Sequence, residues 1–175
     1  AAVAKAGGLP FLALGMMGAN EIESLLKETK GLLGNEPWGV GLLGFIEEEL
    51  LKSQLEIVKK FKPPFSLIAG GRSAQARALE AQGIITYLHI PSSRLLRLYL
   101  EDGVKNFIFE GRECGGHIGP LTSFVLWETS IATLLEAIPQ AAKADEYSVL
   151  FAGGIDNALS SAMVGTLAAL LAERG

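Results

Sequence analysis

The sequence is poor in cysteine, histidine and charge, and each scarcity excludes a class of protein. One cysteine and two histidines exclude a disulfide framework and a multi-cysteine zinc site, and they argue against a histidine-based metal cluster. Charged residues make up 19% of the 175 residues, and the net charge is −4, whereas proteins that bind a nucleic-acid backbone are usually basic. Glycine, proline or a charge interrupts each apolar stretch well before the ~20 residues of a membrane span. We therefore expect neither a nucleic-acid nor a membrane partner.

Hydrophobic residues and glycine are abundant instead. Hydrophobic residues make up 49% of the chain and glycines number 21, a combination that excludes a disordered chain, because disorder requires low hydrophobicity and high net charge. These features predict a buried, glycine-punctuated α/β domain, which we place in the cytoplasm.

Short apolar runs alternate with longer amphipathic patterns along the whole chain. The runs are apolar on both faces, which is typical of parallel strands buried under helices. The predicted strands are Phe11–Leu14, Trp38–Leu42, Phe65–Ala69, Thr86–His89, Phe107–Glu110 and Ser148–Ala152. The predicted helices between and after them are Asn20–Leu32, Phe45–Lys60, Ser73–Gln82, Ser93–Leu100, Glu128–Ala142 and Leu159–Arg174. Asn20 is expected to cap the first of these helices, and Phe124, Leu126 and Trp127 are expected to be packing residues.

Six βα units can close in two ways, as an open doubly wound sheet or as part of an eight-stranded barrel. Ala1–Ala6 has the pattern of a helix tail that stops at Gly7. Helical patterns at both ends imply one further strand on each side, which gives the eight strands of a barrel. We therefore predict an incomplete (β/α)8 TIM barrel over residues 1–175 as a single partial domain, a fragment of a longer protein.

Glycines cluster where the predicted strands lead into helices. Both closures place ligands at these carboxyl ends, and a glycine-rich loop before a helix can bind an anion. Gly70-Gly71 and Gly153-Gly154 are such loops. They predict a phosphate-bearing ligand, although each pair taken alone is also typical of a tight turn without a ligand.

The densest such segment is Glu110–Pro120, directly after a predicted strand. His117 is a candidate to hold or move a proton, and a surface or packing role is the alternative. Cys114 fits a small buried thiol better than a nucleophile. Glu110 and Glu113 are either an acid/base pair or, as we favour, acceptors for loop amides. His89, at the end of another strand, is a weaker candidate for ligand contact.

Four strings occur in an order that resembles a known family: GGLPFLAL, PWGVGL, ECGGHIG and FAGGID. They resemble the nitronate monooxygenase (2-nitropropane dioxygenase) family of FMN-dependent TIM barrels, which includes flavin-dependent enoyl-acyl carrier protein reductases. The longer strings LIAGGR, TYLHIPS and FEGRECGGHIGP resemble the version fused into polyketide and polyunsaturated fatty-acid synthases. The resemblance covers essentially the whole chain, and the family's first and eighth strands have no counterpart in it.

The resemblance implies roles for individual residues. His117 matches the active-site histidine beside the flavin. The implied cofactor-binding residues are Gly41, Gly70, Gly71, Glu110, Gly115, Gly116, Gly153 and Gly154. Among these, Gly153 and Gly154 match the pair whose amides bind the FMN phosphate. The chain departs from the family at two flavin-contacting positions, with Gly41 in place of asparagine and Glu110 in place of glutamine.

The resemblance also implies an activity, namely FMN-dependent oxidation of alkyl nitronates with oxygen. The alternative is a flavin-dependent enoyl-thioester reductase domain of a polyketide or fatty-acid synthase, with NAD(P)H as electron donor and an acyl carrier domain as partner. Substrates would accordingly be small molecules or acyl thioesters, and no metal is implied. Two other classes stay open, a non-catalytic structural or docking module and a non-flavin enzyme acting on a sugar phosphate.

Overall fold

The computed structural model describes residues 1–116, 118–138 and 146–173. The contacts divide the chain into two compact units, Ala1–Leu88 and His89–Gly175. His117 and residues 139–145, together with 174–175, lie outside the described residues.

The first unit is a run of parallel βα elements. Its elements are α1 (Ala2–Lys5), β1 (Phe11–Ala13), α2 (Ala19–Leu33), β2 (Gly39–Leu43), α3 (Glu48–Phe61), β3 (Phe65–Ala69), α4 (Ser73–Glu80) and most of β4 (Ile85–Ile90). Each strand pairs in parallel with the next, and Val40, Ser66 and Thr86 are consecutive partners in this register. A doubly wound sheet would reverse its strand order at a switch point, and these four strands follow chain order throughout.

The second unit continues the same alternation. Its elements are α5 (Ser93–Glu101), β5 (Asn106–Glu110), α6 (Ser123–Ala137), β6 (Ser148–Ala152) and α7 (Ala158–Ala172). β5 and β6 pair in parallel, with Phe109 opposite Phe151. The fold class is therefore α/β, and the six βα units are those of a partial (β/α)8 barrel, as predicted. The predicted strand boundaries agree to within one residue at each end.

Several local predictions were wrong, and one of them is the start of α3, which lies at Glu48 rather than Phe45. α2 begins at Ala19 with Gly18 as its N-cap, so Asn20 lies inside the helix, and Gly18 N–H donates to the Glu21 carboxylate at 3.4 Å. α6 begins at Ser123 rather than Glu128. The Glu113 carboxylate of the preceding loop accepts the Ser123 N–H, so the first turn of the helix needs no acidic residue of its own. As a result, Phe124 is a surface residue of α6, 55% exposed, whereas Leu126 and Trp127 are buried as expected.

An aromatic cluster forms the core beside β5 and β6. Phe151 meets both Phe109 and Trp127 edge-on, at centroid distances of 5.7 and 5.6 Å. The Trp127 indole N–H donates to the Phe109 carbonyl at 3.1 Å, so a helix of the outer layer is fixed to a strand by packing and a hydrogen bond together. Phe109 therefore lies on the side of β5 that α6 covers.

α7 is apolar in sequence and yet has no buried residue among those described, with Leu159 74% exposed and Met163 52% exposed. Within the described ranges, no helix is both long enough and apolar enough to cross a membrane.

Gln54, a residue of α3, forms hydrogen bonds to the loop after β1. Its side chain is fully buried, and its amide nitrogen donates to the carbonyls of Gly15 and Met17 at 3.1 and 3.0 Å. A buried amide that satisfies two loop carbonyls holds the carboxyl end of β1 in one conformation.

We predict that Gln54→Ala lowers the free energy of unfolding by about 2 kcal/mol, because it removes two hydrogen bonds and leaves a cavity. Urea denaturation measures the loss. Ser53→Ala is the control, since its hydroxyl donates to Leu50 O of the same helix, and its effect should stay within about 0.5 kcal/mol. Equal stability of the Gln54 variant and the parent chain would contradict the anchoring role.

Candidate functional site

In the first unit, the predicted site glycines lie where strand ends approach each other closely. A Cβ at Gly44 would lie 2.4 Å from Gly71 Cα, one at Gly70 would lie 2.6 Å from the Phe45 ring, and one at Gly71 would lie 2.6 Å from Ile68. Packing therefore requires glycine at position 71, whereas at position 70 the positive φ of 59° also favours glycine. Gly41 differs, because its nearest contact, Leu67, is at an ordinary 3.4 Å.

In the second unit, two glycine loops converge on the first residue of α6. A Cβ at Gly111 would lie 2.1 Å from Ser123 Oγ, and one at Gly153 would lie 2.3 Å from the same atom. The second Cβ would also lie 3.4 Å from Cys114 N. The structure thus brings the loop after β5 together with the loop after β6, as expected for the carboxyl ends of neighbouring parallel strands.

Glu113 closes this arrangement from the β5 loop. One carboxylate oxygen accepts both the Ser123 backbone N–H, at 2.7 Å, and the Ser123 hydroxyl, at 2.6 Å. These hydrogen bonds to Ser123 lower the pKa of Glu113. The N-terminus of α6 is therefore occupied by a carboxylate of this chain, and the prediction that Glu113 accepts loop amides is confirmed.

The Gly153-Gly154 loop keeps backbone donors available. Both glycines have positive φ, 115° and 71°, a conformation that L side chains rarely adopt. Among the described residues, no hydrogen bond is recorded from the N–H groups of Gly153, Gly154 or Ile155. Successive N–H groups without a partner in such a turn, just before a helix, have the arrangement that can bind an anion.

At the start of α7, the backbone N–H donors and the Asp156 carboxylate have hydrogen-bond partners within the same segment. Asn157 Oδ1 accepts the N–H groups of Leu159 and Ser160 at 2.9 and 3.0 Å. The Asn157 side-chain amide in turn donates to the Asp156 carboxylate at 2.9 Å. The donors left for a phosphate are thus those of the glycine turn, and the residues present fit a phosphate group there.

The β5 loop presents open backbone at its centre. A Cβ at Gly115 or Gly116 would meet no atom within 4 Å, so packing does not require glycine at either position. The neighbouring His117, the predicted catalytic residue, lies outside the described residues.

Sequence reasoning missed a contact between a histidine and a carboxylate at the ends of two strands. His89 Nδ1 meets the Glu110 carboxylate, and the two side chains are 17% and 15% exposed. Glu110 is thus not paired with Glu113, and among the described residues it accepts no loop amide. A signal was present, because each residue ends a predicted strand and consecutive parallel strands end at one edge.

Cys114 lies beside these acids. Burial, followed by the charges of Glu110 and Glu113, raises the pKa of its thiol to about 11. The thiol is therefore protonated at neutral pH, which disfavours a nucleophilic role, as expected from the sequence.

Comparisons with known proteins agree with this fold, although no protein-family model matches the chain. A protein of Rhodococcus jostii strain RHA1, named (3aS,4S,5R,7aS)-5-hydroxy-7a-methyl-1-oxo-octahydro-1H-indene-4-carboxyl-CoA dehydrogenase, is 27% identical over 154 residues, 88% of this chain and 40% of its own length. FabK from Thermotoga maritima is 25% identical, with a TM-score of 0.80 over 95% of this chain and 49% of its own.

A third protein, a nitroalkane oxidase from Streptomyces ansochromogenes, is 22% identical, with a TM-score of 0.73 over 98% of this chain and 56% of its own. At that identity the likeness concerns the fold. The family resemblance predicted from the motifs is confirmed by the likeness to FabK. The chain spans about half the length of the FabK chain and less of the Rhodococcus relative.

We predict that Gly153→Ala lowers the free energy of unfolding by about 2 kcal/mol or more, because the new Cβ would collide with Ser123 at a positive φ. Gly115→Ala is the matched control in the facing loop, and its effect should stay within about 0.5 kcal/mol. Thermal or urea unfolding measures both. Equal losses in the two variants would show that the loops do not meet at Ser123.

We also predict slow alkylation of Cys114 by iodoacetamide. A pKa of about 11 in place of the ordinary 9.0 leaves about 100-fold less thiolate at pH 8. The single cysteine makes the rate specific, and the urea-unfolded chain supplies the reference. A folded chain that reacts at pH 8 as fast as the unfolded one would contradict the raised pKa.

Proposed function

We propose that this chain, which resembles the nitronate monooxygenase family in its motifs and its structural neighbours, belongs to an FMN-dependent oxidoreductase. One observation carries the proposal: the glycine turn after β6 keeps free N–H donors and lies against the loop that carries the GGH motif. A phosphate-bearing cofactor beside a histidine needs these two parts together.

Each residue has a distinct task in this proposal. Gly153 and Gly154 would hold the FMN phosphate through backbone N–H groups, and Gly115 and Gly116 would line the cofactor with open backbone. His117 would hold or move a proton at its imidazole, next to the bound substrate. The bound flavin supplies the electron transfer.

The remaining predicted positions are supported less strongly. Gly70 and Gly71 are explained by close packing, and their amides are proposed as additional flavin contacts only on the strength of the family motif. Gly41 has room for a small side chain, so its departure from asparagine removes a polar group at a position where the fold would accept one.

Two substrate classes follow from the resemblance, alkyl nitronates oxidised with oxygen and enoyl thioesters reduced with NAD(P)H. The name of the Rhodococcus relative describes a carboxyl-CoA, which is a thioester, and this favours the thioester class for the present chain. An acyl carrier domain would then be the natural donor of the substrate. The nitronate class rests on the motifs.

We predict that the chain retains a visible flavin band after incubation with FMN and gel filtration. Gly154→Ala should weaken FMN binding at least about tenfold, because a side chain at this positive φ distorts the turn whose N–H groups would bind the phosphate. Gly103→Ala is the matched control. Gly103 has a similar φ of 78° in the same unit, where a Cβ would meet no atom within 4 Å.

The outcomes separate the function classes. A folded chain without a flavin band would favour the docking module, and inorganic phosphate binding without flavin would favour a sugar-phosphate enzyme. With flavin bound, anaerobic reoxidation of the reduced protein by an enoyl-CoA supports the thioester class. Oxygen-dependent consumption of an alkyl nitronate supports the other class.

A further inference from the structure

We propose that Glu110 is a positioning residue for His89 and that His89 transfers a proton to or from a carbon acid, a substrate whose C–H lies next to a nitro group or a thioester carbonyl. This inference rests on the proposed function for its substrate. It assigns Glu110 a role different from the flavin contact that the family motif implies.

Both residues of the pair lie at strand ends. Glu110 is the last residue of β5 and His89 the penultimate residue of β4, so both lie at the carboxyl ends where barrel enzymes hold their substrates. Side chains alternate along a strand, which puts Glu110 on the face of β5 opposite Phe109 and hence opposite α6. By the same alternation His89 lies opposite the fully buried Leu88 and Ile90.

The contact with Glu110 determines which ring nitrogen of His89 carries the proton. The carboxylate of Glu110 meets Nδ1 of His89, which keeps the proton of the neutral imidazole on Nδ1 and leaves Nε2 with its lone pair. When Nε2 takes up a proton, the same carboxylate stabilises the imidazolium. A glutamine here, as in the family motif, would present no charge for this purpose.

The other titratable side chains described in the β5 loop have different surroundings. Glu113 is held by Ser123, and Cys114, whose thiol feels the Glu110 charge, is protonated at neutral pH. Arg112 is exposed, and its backbone bonds to Leu121. Within the described residues, the contact with His89 Nδ1 therefore involves the Glu110 carboxylate and neither Glu113 nor Arg112.

The proposed step balances without an added reagent. The substrate C–H bond breaks, an N–H bond forms at Nε2, and the electron pair stays on the substrate as a nitronate or an enolate. The reverse step returns the proton from Nε2 to carbon, so no oxidant or reductant is consumed.

The first test reads the histidine itself and needs no flavin. Long-range ¹H–¹⁵N NMR at alkaline pH, where an ordinary histidine is neutral, identifies the protonated nitrogen. The chain has only two histidines, so a His117→Gln variant assigns the His89 signals. We expect the Nδ1–H form in the parent chain and a mixture of tautomers in Glu110→Gln.

The matched control is Glu113→Gln, which makes the same acid-to-amide change in the same loop and should leave the His89 tautomer unchanged. An Nε2–H form in the parent chain would overturn the positioning role without any variant. A Glu110→Gln spectrum identical to that of the parent would also overturn it.

The second test reads the proton transfer. With FMN bound, exchange of the α-hydrogen with solvent deuterium is followed for a nitroalkane and for an acyl-CoA, and the substrate that exchanges identifies the class. We expect His89→Gln to slow this exchange about 100-fold or more with an unchanged flavin spectrum. Full exchange in His89→Gln, or exchange of neither substrate, would overturn the step. Loss of the flavin band in the parent chain would instead count against the proposed function.

Discussion

The candidate site depends on one steric constraint, the approach of two backbone loops to Ser123 at the start of α6. Gly111 and Gly153 both lie so close to Ser123 that a single added carbon would be within 2.3 Å of its side-chain oxygen. Glycine at these two positions lets the loops after β5 and β6 meet. The aromatic cluster of Phe109, Trp127 and Phe151 holds the two strands and the helix beneath them, so strand pairing, helix packing and loop contact support one arrangement.

The same arrangement gives each carboxylate near these loops a partner. Three carboxylates lie near the loops, and each has its own partner: Glu110 has His89, Glu113 has Ser123, and Asp156 has Asn157. Carboxylates held in this way do not accept the N–H groups of Gly153 and Gly154, which have no hydrogen-bond partner among the residues that the structure describes. A net acidic chain can thus offer an anion site, because backbone dipoles rather than basic side chains supply the positive potential.

Most of the fold could be predicted from the sequence, because the spacing of apolar residues and the positions of glycines between them depend on local structure. The strands agreed because each is a short apolar run between turns. The start of α6 was missed because its carboxylate comes from Glu113, ten positions before the residue it caps. The His89–Glu110 pair was missed for a related reason: neither residue marks the other in sequence, and only the pairing of strand ends brings them together. His117 was identified through its motif and stays a prediction.

The central claim is that the backbone of the Gly153-Gly154 turn binds the phosphate of FMN. The most direct measurement compares the affinity of the chain for FMN and for riboflavin, which lacks the phosphate, by quenching of flavin fluorescence. The account predicts binding of FMN at least about tenfold tighter than that of riboflavin, a difference of about 1.4 kcal/mol. Equal affinities, or binding of neither flavin by the folded chain, would contradict it.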